Sequence, residues 1–568
     1  MTQTNSLAGL RRWRRLLDPS TLVLLVLASA LILLVGLPLF KLLSLSVLGP
    51  NGLTHDPLMT AFGRLRHLEA LGRSLYIGVA VAIISTMVGV PMAWLVSRSN
   101  MPGRNFVTLT VVATFVMPPY LGAVAWMLLG GPNAGWINRA WEFLGAETKL
   151  LNIYSMEGII FLIALYSIPF NFIFARSALD VVSSELEDAA SILGASRFVT
   201  TIKITLPMIW PAILGGAIIA LLESITLFGT PALLGIPAGI TVATTQLWQF
   251  FEFPPRLDAA AAYSMALIAV TVLLLWMQRW FLRRKSFTAM TGKGGERRPV
   301  DLGRWRWPAF AACMTVAAMA VFLPLIVLLQ AAFAKAWSRG FSFSNLTLAN
   351  FDYLLFKNSS AIGSIWNTFW FSAVAATAAV AIALIVAYAQ ARRLLPGTGL
   401  LQFLCMVPIA IPGIVLAVAF YATFAPPPFA LYGTAAMLIL AFMIRSLPVA
   451  FINAAATVKS LNPEMEDAVR ILGGSRATVM RKVVVPLTKG GLIGSWLLVF
   501  IAATRELSTA IFLTGPKTKV MSIVMLDLSE EGNFEVLSAL GVLLLATAWI
   551  VVWVGQRVAG RDFMLRRP

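Results

Sequence analysis

Apolar runs of roughly 20 residues, the length that crosses a bilayer core, recur twelve times along this chain. They lie at 21–48, 74–96, 107–129, 156–176, 208–230 and 259–281, then at 308–333, 367–391, 400–425, 432–454, 487–514 and 536–557. Few folds accept such a chain. Lipid offers no water to a bare N–H or C=O, so each run must close its hydrogen bonds within itself as a helix. Only 12% of the 568 residues are charged, against about 25% in soluble domains. The expected class is therefore all-α and integral to a membrane, with about twelve spans. The first run follows Arg11, Arg12, Arg14 and Arg15. It is longer than the roughly 7–15-residue core of a signal peptide, so it reads as a retained helix.

The net charge of +19 does not point to nucleic acid. With the N-terminus placed in the cytoplasm, the whole excess falls on cytoplasmic loops, as the positive-inside rule requires. Both termini are then expected inside the cell. Cys313 and Cys405 fall within runs and form no disulfide framework or metal spacing.

The chain also repeats itself. Displaced by 279 residues, 183–207 lies over 462–486 without a gap, matching at Glu185/Glu464, Glu187/Glu466, Asp188/Asp467, Ala189/Ala468, Gly194/Gly473 and Pro207/Pro486 among others. A second register, displaced by 294, sets Ala93-Trp94 on Ala387-Tyr388 and Pro118 on Pro412. The difference places an insertion near 130–155, a loop with Trp136, Trp141 and Leu144 expected at the membrane surface or against a partner. The expected organisation is a cytoplasmic segment 1–20, a six-span repeat 21–281, a basic linker 282–307, a second repeat 308–557 and a tail 558–568. An even number of spans makes the repeats parallel, related by an axis along the membrane normal. Prolines at Pro118-Pro119 and Pro412 are expected to kink the third and ninth spans.

The duplicated segment, expected in the cytoplasm between the fourth and fifth spans, reads as a short helix. Ser183 and Asn462 suit the N-cap, and Pro463 the first turn. Glu185 and Glu464 complement the helix dipole. Leu186, Ala189, Ala190 and Leu193 share one face, as do Met465, Ala468, Val469 and Leu472, and Gly194 and Gly473 close the helix. An apolar face outside the bilayer calls for a partner, with Glu187-Asp188 and Glu466-Asp467 expected at its rim.

The pattern Asp188-Ala189-Ala190, Gly194, Ile204-Thr205-Leu206-Pro207 resembles the EAA signature of ATP-binding-cassette importer permeases. The second copy reads Asp467-Ala468-Val469, Gly473, Val483-Val484-Val485-Pro486. Asp stands for the usual Glu, and Val469 for the second Ala. The resemblance implies the type I importer permease fold in a bacterial inner membrane. It also implies a homodimeric ATPase on the cytoplasmic side, using ATP and Mg, and an external solute-binding protein. The implied coupling residues are Glu187, Asp188, Ala189, Gly194 and Pro207, with Glu466, Asp467, Ala468, Gly473 and Pro486. The fused halves, Phe228 to Gly235, Thr244-Thr245-Gln246 and Arg505-Glu506-Leu507-Ser508 look like ferric-iron importer permeases; thiamine, 2-aminoethylphosphonate and polyamine importers share the subgroup.

No GxxxxGK[ST] phosphate loop occurs in the chain, so the expected role is a transport subunit that hydrolyses nothing and binds no cofactor or metal. Charges inside spans are costly and mark pathways or structural pairs; among them are Glu223, Arg445, Arg505 and Glu506. Glu223, Arg505 and Glu506 are the candidate pathway residues, and Arg445 reads as structural. The rival class is a twelve-helix transporter driven by an ion gradient, which would have no use for two docking helices. Alkaline phosphatase fused after Gly292 is expected to stay inactive, whereas a fusion within 130–155 is expected to be active; the reverse activities would invert the topology.

Overall fold

A computed structural model of the chain describes residues 19–49, 52–181, 185–284, 299–395 and 397–559. The N-terminal arginines, Ser183, most of the basic linker, Pro396 and the end of the tail lie outside the described residues, as do the side chains of Glu185, Leu186 and Asp188. What is described is almost wholly helical; its one sheet is a two-residue hairpin pairing Leu48 with Leu53 and Gly49 with Gly52.

Among the described residues, ten helices are long and apolar enough to cross a bilayer, or eleven if one bent pair is a single span. The shortfall from twelve lies at the third span of each half. Thr398–Ala410 and Gly413–Phe424 meet at 114°, and the first half is interrupted between Arg104–Ala113 and Pro119–Gly130. Proline causes both breaks, because it lacks an N–H and forces the residue before it out of helical geometry. Pro118, which precedes Pro119, has ψ 135°; Ile411, which precedes Pro412, has ψ 116°. The expected kinks are thus full interruptions.

Such breaks free backbone groups that lipid cannot satisfy. Arg445 donates to the Ile411 carbonyl at 3.0 Å, which gives that intramembrane charge a structural use. Its counterpart 279 residues earlier, Tyr166, donates to the Ala320 carbonyl at 3.4 Å. Ala320 lies four residues before Pro324, whose missing N–H would have served it in an ordinary helix. The chain there widens into a π-helical turn, Ala318–Phe322. Similar turns at Thr201–Thr205 and Met480–Val484 lead into Pro207 and Pro486.

The chain divides into two compact units that do not follow the sequence halves. One contains residues 58–358 with 525–545, and the other contains 1–57 with 359–524 and 546–568. Each unit therefore carries the leading helix of the other repeat: Leu37–Val47 packs on Gly413–Phe424, and Leu323–Ala332 packs on Pro119–Gly130.

Within each unit the centre is a triangle of helices. In one, α1 (Leu65–Arg98), α2 (Met156–Val181) and α4 (Leu206–Thr226) pack pairwise, with the short α3 (Glu185–Ile192) between α2 and α4 in sequence. In the other, α5 (Ser359–Ala391), α6 (Ala435–Lys459) and α8 (Val485–Thr504) do the same, with α7 (Glu464–Ile471) in the corresponding place. Lipid removes the hydrophobic drive between helices, so small side chains and polar bonds decide the contacts. On α5 the alanines 375, 379, 383 and 387 form a buried stripe. On α2 the buried Asn171 donates to Ser85 Oγ at 2.9 Å and accepts from Thr86 Oγ1 at 3.0 Å, tying α2 to α1. A Cβ on Gly216 would stand 2.9 Å from Asn171 Oδ1 and 3.1 Å from its Cα, so α4 closes on that node only without a side chain. Gly216→Leu is expected to destabilise this unit by about 1–3 kcal/mol or more, read as a lowered thermal midpoint in detergent; an unchanged midpoint would refute this packing.

Candidate functional site

The duplicated segments form the same structure twice. Helix α3 ends with Leu193 N–H on the Ala189 carbonyl at 3.1 Å and Ala195 N–H on the Ala190 carbonyl at 3.0 Å. Helix α7 ends with Leu472 N–H on Ala468 at 3.3 Å and Gly474 N–H on Val469 at 2.9 Å. Both turns pass through a left-handed glycine, Gly194 at φ 81° and Gly473 at φ 80°, a conformation that costs an L-residue about 1–2 kcal/mol. Asn462 Oδ1 accepts the Glu464 N–H at 3.1 Å, although Pro463 rather than Asn462 takes the N-cap position. Pro207 and Pro486 lie near the starts of α4 and α8.

The apolar faces point outward. Ile192 and Leu193 are each 86% exposed, and Ile471 and Leu472 are 84% and 87% exposed. Met465, Ala468 and Ala189 are exposed too, whereas Ala190 is buried. Among the described residues, nothing lies within 4 Å of a Cβ added at Gly194 or Gly473.

The acidic pairs do not both rim this surface, as the sequence suggested. Asp467 is exposed and lies 4.0 Å from Arg470, but Glu466 is only 5% exposed. One Glu466 oxygen accepts from Arg392 Nε and Nη2 at 2.9 and 2.6 Å, and the other accepts from the Tyr388 hydroxyl at 2.8 Å. Glu187 likewise faces Arg98, at 3.4 Å, and accepts from Thr205 Oγ1 at 2.7 Å. Successive helical residues point about 100° apart, so on α7 Glu466 turns inward while Asp467 faces out. The sequence reading missed Arg98 and Arg392. They lie 294 residues apart, in the same register as Trp94 and Tyr388, and that register was the available signal.

The candidate pathway charges have different surroundings. Glu223 lies exposed near the end of α4. Glu506 follows the end of α8, and one of its oxygens accepts from the Thr509 N–H at 3.0 Å and the Thr509 hydroxyl at 3.1 Å, holding the turn after the helix. Arg505 is half-buried in the same compact unit as Glu506, while Glu223 belongs to the other. The run Phe228 to Gly235 is a buried short helix after α4, and Thr244 donates back to the Leu227 carbonyl at 3.0 Å. These residues brace the fold.

His67 is buried, its Nδ1 3.0 Å from the Ala61 carbonyl. Among the described residues no three of His, Cys, Asp and Glu gather in a way that could hold a metal ion.

A family model described as the binding-protein-dependent transport system inner membrane component matches residues 85–287 and 379–561. The chain belongs to this family. It is a tandem permease of an ATP-binding-cassette importer, a multi-pass membrane protein with one family unit in each half. This permease is 25% identical over 504 residues to the ferric transport system permease protein FbpB of Actinobacillus pleuropneumoniae, covering 87% of this chain and 71% of that one. It is 27% identical over 232 residues to the molybdate/tungstate transport system permease protein WtpB of Thermococcus kodakarensis, covering 41% of this chain and 82% of that one. Among solved structures, a bacterial alginate ABC transporter in complex with alginate pentasaccharide-bound periplasmic protein aligns with 46% of the permease and 96% of that chain. The TM-score is 0.36 and the identity 18%.

In the permease, Gly473→Asn is expected to keep the end of α7 because Asn tolerates left-handed backbone, whereas Gly473→Val should cost about 1–2 kcal/mol. Hydrogen exchange at the Gly474 amide checks this; equal protection in both variants would contradict it.

Proposed function

We propose that this permease imports ferric iron, powered by a separate ATPase dimer whose two clefts receive α3 and α7. The observation that carries the coupling is the exposed Ile-Leu pair beside a left-handed glycine, present on both short helices in the same place. Four large apolar side chains in water call for a partner surface, and two equivalent helices match a partner with two equivalent clefts. The ATPase would bind ATP and Mg and close on the helices, and the permease would turn that closure into tilting of its spans. Asp467 is placed to meet this partner, with Asp188 as its sequence counterpart. Both termini and both helices are assigned to the cytoplasmic side by the charge distribution.

Ferric iron is supported by the relative that spans 87% of this chain. An oxyanion cargo has narrower support, since the molybdate/tungstate relative spans 41%. Glu223 is the stronger pathway candidate because it is exposed, while Glu506 is occupied in its own turn; Arg505 stays with Glu506 as a proposed neighbour of the route.

Proteoliposomes holding the permease, its ATPase and its binding protein provide the test. Uptake of radioiron is expected to require ATP, to ignore proton uncouplers and to exceed molybdate uptake. Valine at both Gly194 and Gly473 is expected to abolish it while the protein still inserts. Survival of uptake in that double variant would sink the coupling role, and preferential molybdate uptake would sink the cargo.

A further inference from the structure

The inward-facing glutamates lie apart from the surface just proposed for the ATPase, and their surroundings recur in both halves. Each pairs with an arginine at the same place, Arg98 at the end of α1 and Arg392 just past α5. Each arginine also donates to a backbone carbonyl at or just past the end of the neighbouring core helix, Arg98 to Leu179 at 2.8 Å and Arg392 to Leu461 at 3.4 Å. Arg98 is 6% exposed. One carboxylate thus joins the short helix to two core helices at once.

The hydroxyl that completes each site comes from a different helix. Glu466 receives it from Tyr388 on α5, whose counterpart in the first half is Trp94. Glu187 receives it from Thr205 at the foot of α4, whose counterpart in the second half is Val484. The two halves have diverged at both positions, yet each still supplies a hydroxyl to its glutamate.

A buried ion pair is a poor source of stability, since an apolar pair of similar volume often holds as well. What the charged pair adds is direction, because a guanidinium bound to a carboxylate fixes both distance and angle. We infer that Glu187 and Glu466 are positioning residues, clamps through which a displacement of α3 or α7 is passed to the core spans. This rests on the coupling role proposed above. Without the clamp, the short helix would move on its own chain and leave the spans behind.

Two readouts on the full-length permease test the inference. The first is solute moved per ATP hydrolysed in the reconstituted complex, with radioiron as the probe. Glu466→Gln is expected to lower this ratio on the order of tenfold, and the exchange Glu466→Arg with Arg392→Glu to recover much of it. The second uses no ATPase and no cargo: spin labels at Leu472 and Lys459, both exposed, report the distance from α7 to the end of α6. A narrow distribution is expected in the parent and a broad one in Glu466→Gln, and Cys313 and Cys405 are buried away from the label. An unchanged ratio, or a lowered ratio with an unchanged distance distribution, overturns the clamp. If Glu466→Gln does not insert, Glu187→Gln carries the same ratio measurement; failure of both to insert marks the pairs as structural only and also overturns it. Uptake by the parent without ATPase would instead defeat the coupling reading, and the label distances would still decide whether Glu466 holds its helix.

Discussion

Backbone polar groups in a bilayer have nowhere to go but to the protein itself, and most of this structure follows from that constraint. It makes the chain helical, and it dictates what must stand beside each place where a helix fails. Pro412 breaks a span, and the carbonyl before it is taken by Arg445. Pro324 withholds an N–H, and Tyr166 serves the carbonyl left over. Arg445 and Tyr166 stand at matching places in the two halves. A charge and a phenol thus do one job where the local surroundings differ.

The same economy governs packing. Without a hydrophobic drive between helices, contact depends on close approach and on polar bonds. The two compact units reach it by different routes. The α5 triangle relies on a stripe of alanines, the α1 triangle on one buried asparagine with glycines around it. Duplication preserved the architecture while leaving the interior chemistry free to diverge.

The short helices carry the functional claim because they reverse the usual arrangement. Ile192, Leu193, Ile471 and Leu472 lie in the open, and on α7 the nearby Glu466 is buried. Sequence patterning found the helix, its glycine end and its apolar side. It assigned both acids of each pair to the exposed rim, because adjacent residues look alike in a linear text. Which of two neighbouring carboxylates faces an arginine depends on how the helix is rotated against the core. That rotation is set by Arg98 and Arg392, some 70 to 90 positions away.

The sequence by itself determined that the chain lives in a membrane, that it is helical, that it is a duplication and that the duplicated short helix ends at a glycine. Hydropathy, internal identity and backbone preference are local properties, readable residue by residue. Only the tertiary structure decided that the third and ninth spans are interrupted, that each compact unit takes its leading helix from the other repeat, and that Glu187 and Glu466 turn inward. Those features depend on partners distant in sequence, since a buried polar group is oriented by whatever can satisfy it and the chain must fold before that partner arrives.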